Sequence, residues 1–292
     1  MKNIDKEMEA AYEKSVIDPK PMDPIAASDM LRDLKRILDQ LGAVFFIASG
    51  TCLGAIREGR FIPWDDEMDM GSVIGLNGLD EETIDRGIVA FKENGYYVHV
   101  NRTSRHIGVS VVKSSIRADW TCHRIIGDSV FQYPGVRTPL RLFKQLKEID
   151  FIGEKFLVPN PPEEYLETKY GPNWATPKGP GFEKEVVDKI PDADILSRRQ
   201  RLCKFITLFL IPWCAGRLKV LDENDNPVSG AEIVLVGIGR SKTNSEGYAK
   251  FYVPEKYDYA VNVKYGDHEE LLYGEELIPG ATYVYRPGPD VS

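Results

Sequence analysis

The stretch FFIASGTCLGAIREGRFIPWDDEMDMGSVIG, from Phe45 to Gly75, constrains the fold more than any other part of the chain. An apolar run, AVFFIAS, leads into a small-residue turn at Gly50. The segment TCLGAIRE that follows can form a short helix. EMDMGSVI then alternates acidic or small residues with apolar ones. A period of two is that of a strand, and it sets Glu67 and Asp69 on one face with Met68 and Met70 on the other. Asp65, Asp66, Glu67 and Asp69 crowd together here. Like charges that close repel, and burying them unpaired is costly. Either they face water as a plain acidic turn, or something positive sits among them.

The flanking sequence predicts helices and strands in mixed order. PIAASDMLRDLKRILDQLGA reads as an amphipathic helix, with Leu31, Leu34, Leu38 and Leu41 on one face and Gly42 as its stop. DEETIDRGIVAFKENG reads as a second helix, capped near Asp80 and ended by Gly95. YYVHVN, HIGVSVVK and IRADWTCHRI are β-like, KEIDFIGEKFLVP suggests a hairpin, and PPEEYLETKYG a helix ending at Gly171. Residues 172–192 are rich in Gly, Pro and Lys and read as a loop. After Gly216 the composition changes to short alternating strands, with turn signals at Asp225-Asn226-Pro227, Asn244-Ser245-Glu246-Gly247 and Gly266-Asp267. The expectation is an α+β chain with a small all-β sandwich at its C-terminal end. The expected domains are 1–197, an apolar linker 198–215, and 216–292.

Two carboxylates spaced i, i+2 on a strand can converge on one hard cation, and Mg²⁺ commonly uses one or two carboxylates alongside water and substrate phosphates. Asp119, acidic in the middle of a strand-like run, is the candidate for a third ligand, with a salt bridge near Arg117 as the alternative. Ahead of the acids, Ser49, Gly50, Thr51 and their backbone N–H groups can hold a phosphate at a helix start. Arg57 and Arg60 can neutralise phosphate charge. Asp66 is a further metal candidate, though Asp65 or Asp66 can instead orient Arg57 or Arg60. His106 and His123 receive no role, and Tyr165 and Tyr170 read as packing residues.

The net charge of −8 over 292 residues argues against a general nucleic-acid binder. The first residues lack the apolar core of a secretory signal. Cys52, Cys122, Cys203 and Cys214 have no zinc-type spacing, so a reduced, cytoplasmic setting is expected. CKFITLFLIPWCAG, Cys203 to Gly216, is too short to span a bilayer and contains Pro212. It reads either as a buried connector or as an interfacial patch, in which Arg198, Arg199, Arg201 and Lys204 meet lipid headgroups while Phe205, Leu208 and Trp213 dip in.

SGTCLGAIREGRFIPWDDEMDMG resembles the signature of the LicD family, which includes the fukutin-like transferases; NPPEEYLETKYGPNW resembles that family's closing helix. The resemblance covers about residues 28–178. It implies a nucleotidyltransferase-like mixed sheet with helices, and transfer of a phospho-alcohol, such as phosphocholine or ribitol phosphate, from a CDP-linked donor to a sugar hydroxyl. The acceptor would be a cell-surface glycan or its lipid-linked precursor, as in lipopolysaccharide or teichoic acid biosynthesis. Carried over, Glu67, Asp69 and Asp119 are the catalytic metal ligands for Mg²⁺ or Mn²⁺, and Ser49, Gly50 and Thr51 the phosphate turn. The sequence departs in having Glu67 where the family usually has Asp, and Cys52 where Leu is common. The C-terminal module resembles carboxypeptidase-regulatory-like, transthyretin-type sandwiches. Two other readings remain at this stage: a nucleotidyltransferase moving the nucleotide itself, and a non-catalytic glycan- or partner-binding protein.

Overall fold

A computed structural model of the chain describes residues 2–178, 182–191, 195–212 and 215–288. It is a mixed α+β structure with two compact units. The first runs through Phe131 and resumes at Thr138–Pro177; the second gathers Gln132–Arg137 and the described residues from Lys178 onward. The segment expected as a linker therefore groups with the second unit.

In chain order the first unit begins with α1 (Lys2–Ile17) and α2 (Pro24–Gln40). The sequence reading did not anticipate α1, which is held through Tyr12, whose ring stacks on His99 at 4.9 Å and tilts against Tyr97 at 5.6 Å. Helix α2 starts where Asp23 accepts hydrogen bonds from the Ile25 and Ala26 N–H groups, with Pro24 at the first helical position. Its Leu31, Leu34 and Leu38 are buried, as their spacing predicts. Then follow β1 (Phe46–Ile47), α3 (Ser49–Arg57), β2 (Glu67–Val73), α4 (Glu81–Glu93), β3 (Tyr97–Arg102), β4 (His106–Lys113) and β5 (Ile116–His123). Strand β1 is shorter than AVFFIAS suggests, because α3 begins at Ser49 and withdraws the backbone from pairing.

The sheet order is β1-β2-β5-β4-β3. Only β2 and β5 run parallel, in a register that sets Glu67 beside Arg117 and Asp69 beside Asp119. A parallel pair needs a crossover, and α4, β3 and β4 supply it. Trp120 is fully buried beneath the sheet, its indole N–H donating to Ser72 Oγ at 2.9 Å and its ring meeting Phe91 edge-on at 6.0 Å. Burying a side chain of this size stabilises the fold by roughly 2–3 kcal/mol. Across the β1–β2 pair, Phe46 lies over Gly71, where a Cβ would come within 2.4 Å of the ring.

The chain continues through β6 (Ser129–Gln132) and β7 (Val136–Pro139), of which Gln132, Val136 and Arg137 group with the second unit, and the first unit closes with α5 (Arg141–Lys144), β8 (Lys147–Phe151), β9 (Glu154–Val158) and α6 (Pro162–Tyr170). Strands β8 and β9 form the expected hairpin.

The second unit contains α7 (Phe182–Val187), α8 (Arg198–Phe205) and a π-helical turn, Ile206–Leu210. Helix α7 lies in the stretch read as a loop, where FEKEVV is a short helix-forming run among breakers. A capping box starts α8: Ser197 Oγ accepts from the Gln200 N–H while the Gln200 side chain accepts from the Ser197 N–H. Trp213 and Cys214 lie outside the described residues. Seven strands follow: β10 (Gly216–Val220), β11 (Glu232–Leu235), β12 (Gly239–Lys242), β13 (Tyr248–Phe251), β14 (Tyr257–Tyr265), β15 (His268–Leu277) and β16 (Thr282–Tyr285). They form sheets of order β13-β10-β16 and β12-β11-β14-β15, mostly antiparallel, with β10 and β16 parallel. Residues of both sheets, among them Leu218, Phe251, Leu235 and Val261, line one cavity of about 280 Å³.

Candidate active site

The site is assembled where the start of α3 meets β2. Ala48, at the N-terminal boundary of α3, makes no side-chain cap, so the first N–H groups of the helix must find partners elsewhere. The Gly50 N–H donates to Asp69 Oδ2 at 2.9 Å, and the Ser49 N–H donates to the Tyr165 hydroxyl at 3.0 Å. In return, the Asp69 N–H donates to Thr51 Oγ1 at 2.8 Å, and Thr51 is fully buried. Ser49 has a positive φ of 39°, a strained start that turns the chain from β1 into the helix. A Cβ at Gly50 would lie 2.7 Å from Asp65 Oδ2, so any larger residue there would have to displace that carboxylate.

Ser49, Gly50 and Thr51, the expected phosphate turn, are thus bonded to α6 and β2. The anion at the start of α3 is the chain's own Asp69 carboxylate, and the turn ties α3 to β2. Arg57 and Arg60 are also elsewhere. Both pair with Glu58, Arg57 at 2.7 Å and Arg60 at 3.6 Å, at the far end of α3 from Asp69. Two helical turns separate them from Ser49.

The acids themselves do come together. Glu67 and Asp69 share a face of β2, and the parallel register brings Arg117 and Asp119 beside them on β5. Arg117 is the cation among the carboxylates. Its Nη2 donates to Asp66 Oδ2 at 3.2 Å and to Glu67 Oε2, and its Nε stands 3.9 Å from Asp119 Oδ2. The sequence reading named Arg117 only as a neighbour of Asp119; the signal that could have found it is the Arg-x-Asp spacing, which gives both side chains one face of a strand.

The carboxylates are electrostatically strained. Burial, then the charges of Asp69 and Asp66, push Asp65 up to about 8. Burial, then Asp119 and Asp69, hold Glu67 well above the usual carboxylate range despite Arg117. Burial pushes Asp69 up to about 6, opposed by Lys169 and the Gly50 N–H. Lys169, on α6, has no local sequence signal that ties it to the acids; burial lowers its pKa, while Asp69 and Glu67 work the other way. Asp65 Oδ2 and Asp119 Oδ1 are buried without a hydrogen-bond partner. Orphaned carboxylate oxygens are costly and call for a partner. Oxygen donors of this kind suit a hard divalent cation. Among the described residues, however, no three or more His, Cys, Asp or Glu side chains are arranged to hold a metal ion. The donors fit; with Arg117 drawn among them, they do not converge on one point.

Residues 42–161 match the sequence model of the family described as LicD/FKTN/FKRP, nucleotidyltransferase domain. That stretch contains Ser49 to Asp119 and ends just before α6. The chain is 25% identical over 164 residues to the ribitol 5-phosphate transferase FKRP of Homo sapiens, covering 50% of this chain and 31% of that protein. It is 24% identical over 180 residues to the ribitol-5-phosphate transferase FKTN of Homo sapiens, covering 57% of this chain and 38% of that protein. An uncharacterized protein of Rickettsia typhi is 33% identical over 73 residues, 25% of this chain and 22% of that protein. The chain thus matches between 22% and 38% of the length of these relatives.

Proposed function

We propose that the first unit is a metal-dependent transferase that moves a phospho-alcohol from a CDP-linked donor to a sugar hydroxyl of a glycan or its lipid-linked precursor. The observation that carries this reading is the acidic constellation inside the family-matched segment: Glu67 and Asp69 on one strand, Asp119 in register on the next. Glu67, Asp69 and Asp119 would hold Mg²⁺ or Mn²⁺, with Asp66 at the rim. Such a cation supplies Lewis-acid stabilisation of the charge on the phosphoryl oxygens. The acceptor hydroxyl oxygen forms a bond to the phosphorus bearing the alcohol, the bond from that phosphorus to the bridging oxygen breaks, and CMP leaves. Asp119, with an oxygen lacking a hydrogen-bond partner, is the candidate to take the hydroxyl proton. The names of the human relatives make ribitol phosphate the first group to test.

The test is a panel of CDP-alcohols with Mg²⁺ or Mn²⁺ and a glycan acceptor. CMP release with the alcohol phosphate on the acceptor is the expected outcome. Cytidine nucleotide appearing on the acceptor would establish nucleotidyl transfer instead. Neither donor binding nor turnover across the panel would leave a non-catalytic role.

We also propose that the protein works peripherally at an anionic membrane face. No helix among the described residues is long and apolar enough to cross a membrane. Along α8 and the π-turn, Leu202, Phe205, Phe209 and Leu210 are exposed at 54–70%, and the Phe205 and Phe209 rings lie 5.1 Å apart. Arg198, Arg199 and Arg201 are exposed just before them. Leu208 is half-buried, so the apolar face runs through Phe209. Each basic residue near an anionic surface contributes about 1 kcal/mol, weakened by salt. Co-sedimentation with phosphatidylserine vesicles is expected at low salt, reduced at high salt, and lost in a folded Phe205→Ser, Phe209→Ser variant. No binding at any ionic strength would remove this proposal.

A further inference from the structure

We infer that Arg117 is a resident counter-ion that occupies the cation's place, and that a divalent ion binds only as its guanidinium withdraws. This rests on the metal reading above. Arg117 makes contacts with three of the four acids assigned to the ion: hydrogen bonds to Asp66 and Glu67, and a 3.9 Å approach to Asp119. Its side chain is only 12% exposed, so it is enclosed in the site. A cation liganded by Glu67 and Asp119 together would need the space the guanidinium fills.

The pairing is also incomplete as a permanent salt bridge. Buried ion pairs are tolerable when every donor and acceptor is satisfied, because desolvation otherwise outweighs the attraction. Here Arg117 Nε and Asp119 Oδ1 are both buried without a hydrogen-bond partner. A planar guanidinium fork can satisfy one or two carboxylates well, and three in different orientations poorly. The charge count agrees. Asp66, Glu67, Asp69 and Asp119, when ionised, carry four negative charges, and Arg117 with Lys169 carries two positive ones. Negative charge therefore exceeds positive charge at the site, and Asp65 beside them adds to the excess, which favours a further cation. Arg117 therefore does two things. It limits repulsion among the acids while no ion is bound, and it sets an energetic threshold that the ion must exceed. Once withdrawn, its donors are freed at the edge of the site, where a donor phosphate would arrive.

The test is Mn²⁺ binding, followed by electron paramagnetic resonance at pH 8, in wild type, Arg117→Gln and Arg117→Lys. Arg117→Gln is expected to bind Mn²⁺ at least tenfold more tightly, with Arg117→Lys in between, because a single ammonium nitrogen can serve Asp66 and Glu67 but cannot also face Asp119 as Nε does. Mn²⁺ binding by wild type with equal or weaker binding by folded Arg117→Gln would overturn this inference and leave the metal reading standing. Failure of all three proteins to bind would overturn both. Wild type alone provides a second readout should the variants not fold. On Mg²⁺ titration, one arginine Nε–Hε resonance should move from a slowly to a rapidly exchanging environment. No such change at Mg²⁺ saturation would also overturn the inference.

Discussion

Asp69→Asn is expected to lower turnover by more than about a hundredfold while raising the melting temperature of the metal-free protein. Losing even an outer partner of a metal ligand typically costs 10–100-fold, so loss of a ligand should exceed that. The fold should survive because asparagine preserves what Asp69 does structurally. Its carbonyl oxygen can still accept from the Gly50 N–H, and the backbone N–H still donates to the buried Thr51 hydroxyl. Only the charge is removed, and that charge is unfavourable in the folded state: the carboxyl sits at about 6 against an ordinary 3.8. At pH 8 relief of this cost amounts to about 1–3 kcal/mol, or several degrees in melting temperature. Near-normal turnover with saturating donor and metal would remove Asp69 from the site. A lower melting temperature in EDTA would mean that its charge supports the fold.

Local periodicity made much of this arrangement legible in advance. Alternation in EMDMGSVI marks β2 and puts Glu67 and Asp69 on one face, and the leucine spacing of α2 identifies its buried stripe. Asp80 and Asp23 sit where capping chemistry requires an acceptor. What periodicity cannot supply is register between strands distant in sequence. The pairing of Glu67 with Arg117 depends on a parallel crossover through α4, β3 and β4, and no local pattern encodes it. This is why Asp119 could be chosen as an acid needing a partner while Arg117, two residues earlier, was passed over.

Other placements that local pattern does not reach have the same origin. Arg57 and Arg60 lie near the acids in sequence, but α3 carries them away to Glu58. The N–H groups at the helix start were expected to await a phosphate; the strand opposite supplies its own carboxylate. Helix α1 escaped notice because its anchor, Tyr12 against His99 and Tyr97, is a contact across some eighty-five residues of sequence. Lys169 stood in a helix read only for packing, and its relation to Asp69 and Glu67 appears when α6 closes beside α3.

In EDTA, the protein is expected to lose stability as pH rises from about 6.5 to about 8.5. Asp65 is the main cause, with Glu67 acting in the same direction. A buried carboxyl with a raised pKa holds its proton in the folded state after the unfolded chain has released it. Folding then binds protons, and stability falls with pH across the interval between the two values. For Asp65 that interval runs from 3.8 to about 8, and for Asp69 from 3.8 to about 6. His123 opposes this at lower pH. Burial, with His106 and Lys169 nearby, lowers it from 6.5 to about 3, so the folded state excludes a proton that the unfolded chain binds. Its contribution rises with pH between those values and is complete above 6.5. Below 6.5 the two tendencies offset each other; above it the carboxyls dominate, at a cost on the order of a few kcal/mol, with the buried Lys169, lowered from 10.5, opposing them toward the alkaline side. Melting temperatures in EDTA should therefore decline from pH 6.5 to 8.5, and Asp65→Asn should flatten that decline. Mg²⁺ should restore stability most at the alkaline end, where the site is most negatively charged. A flat wild-type profile would mean that Asp65 is already ionised at neutral pH, and that the acids find their compensation in Arg117 and Lys169 alone.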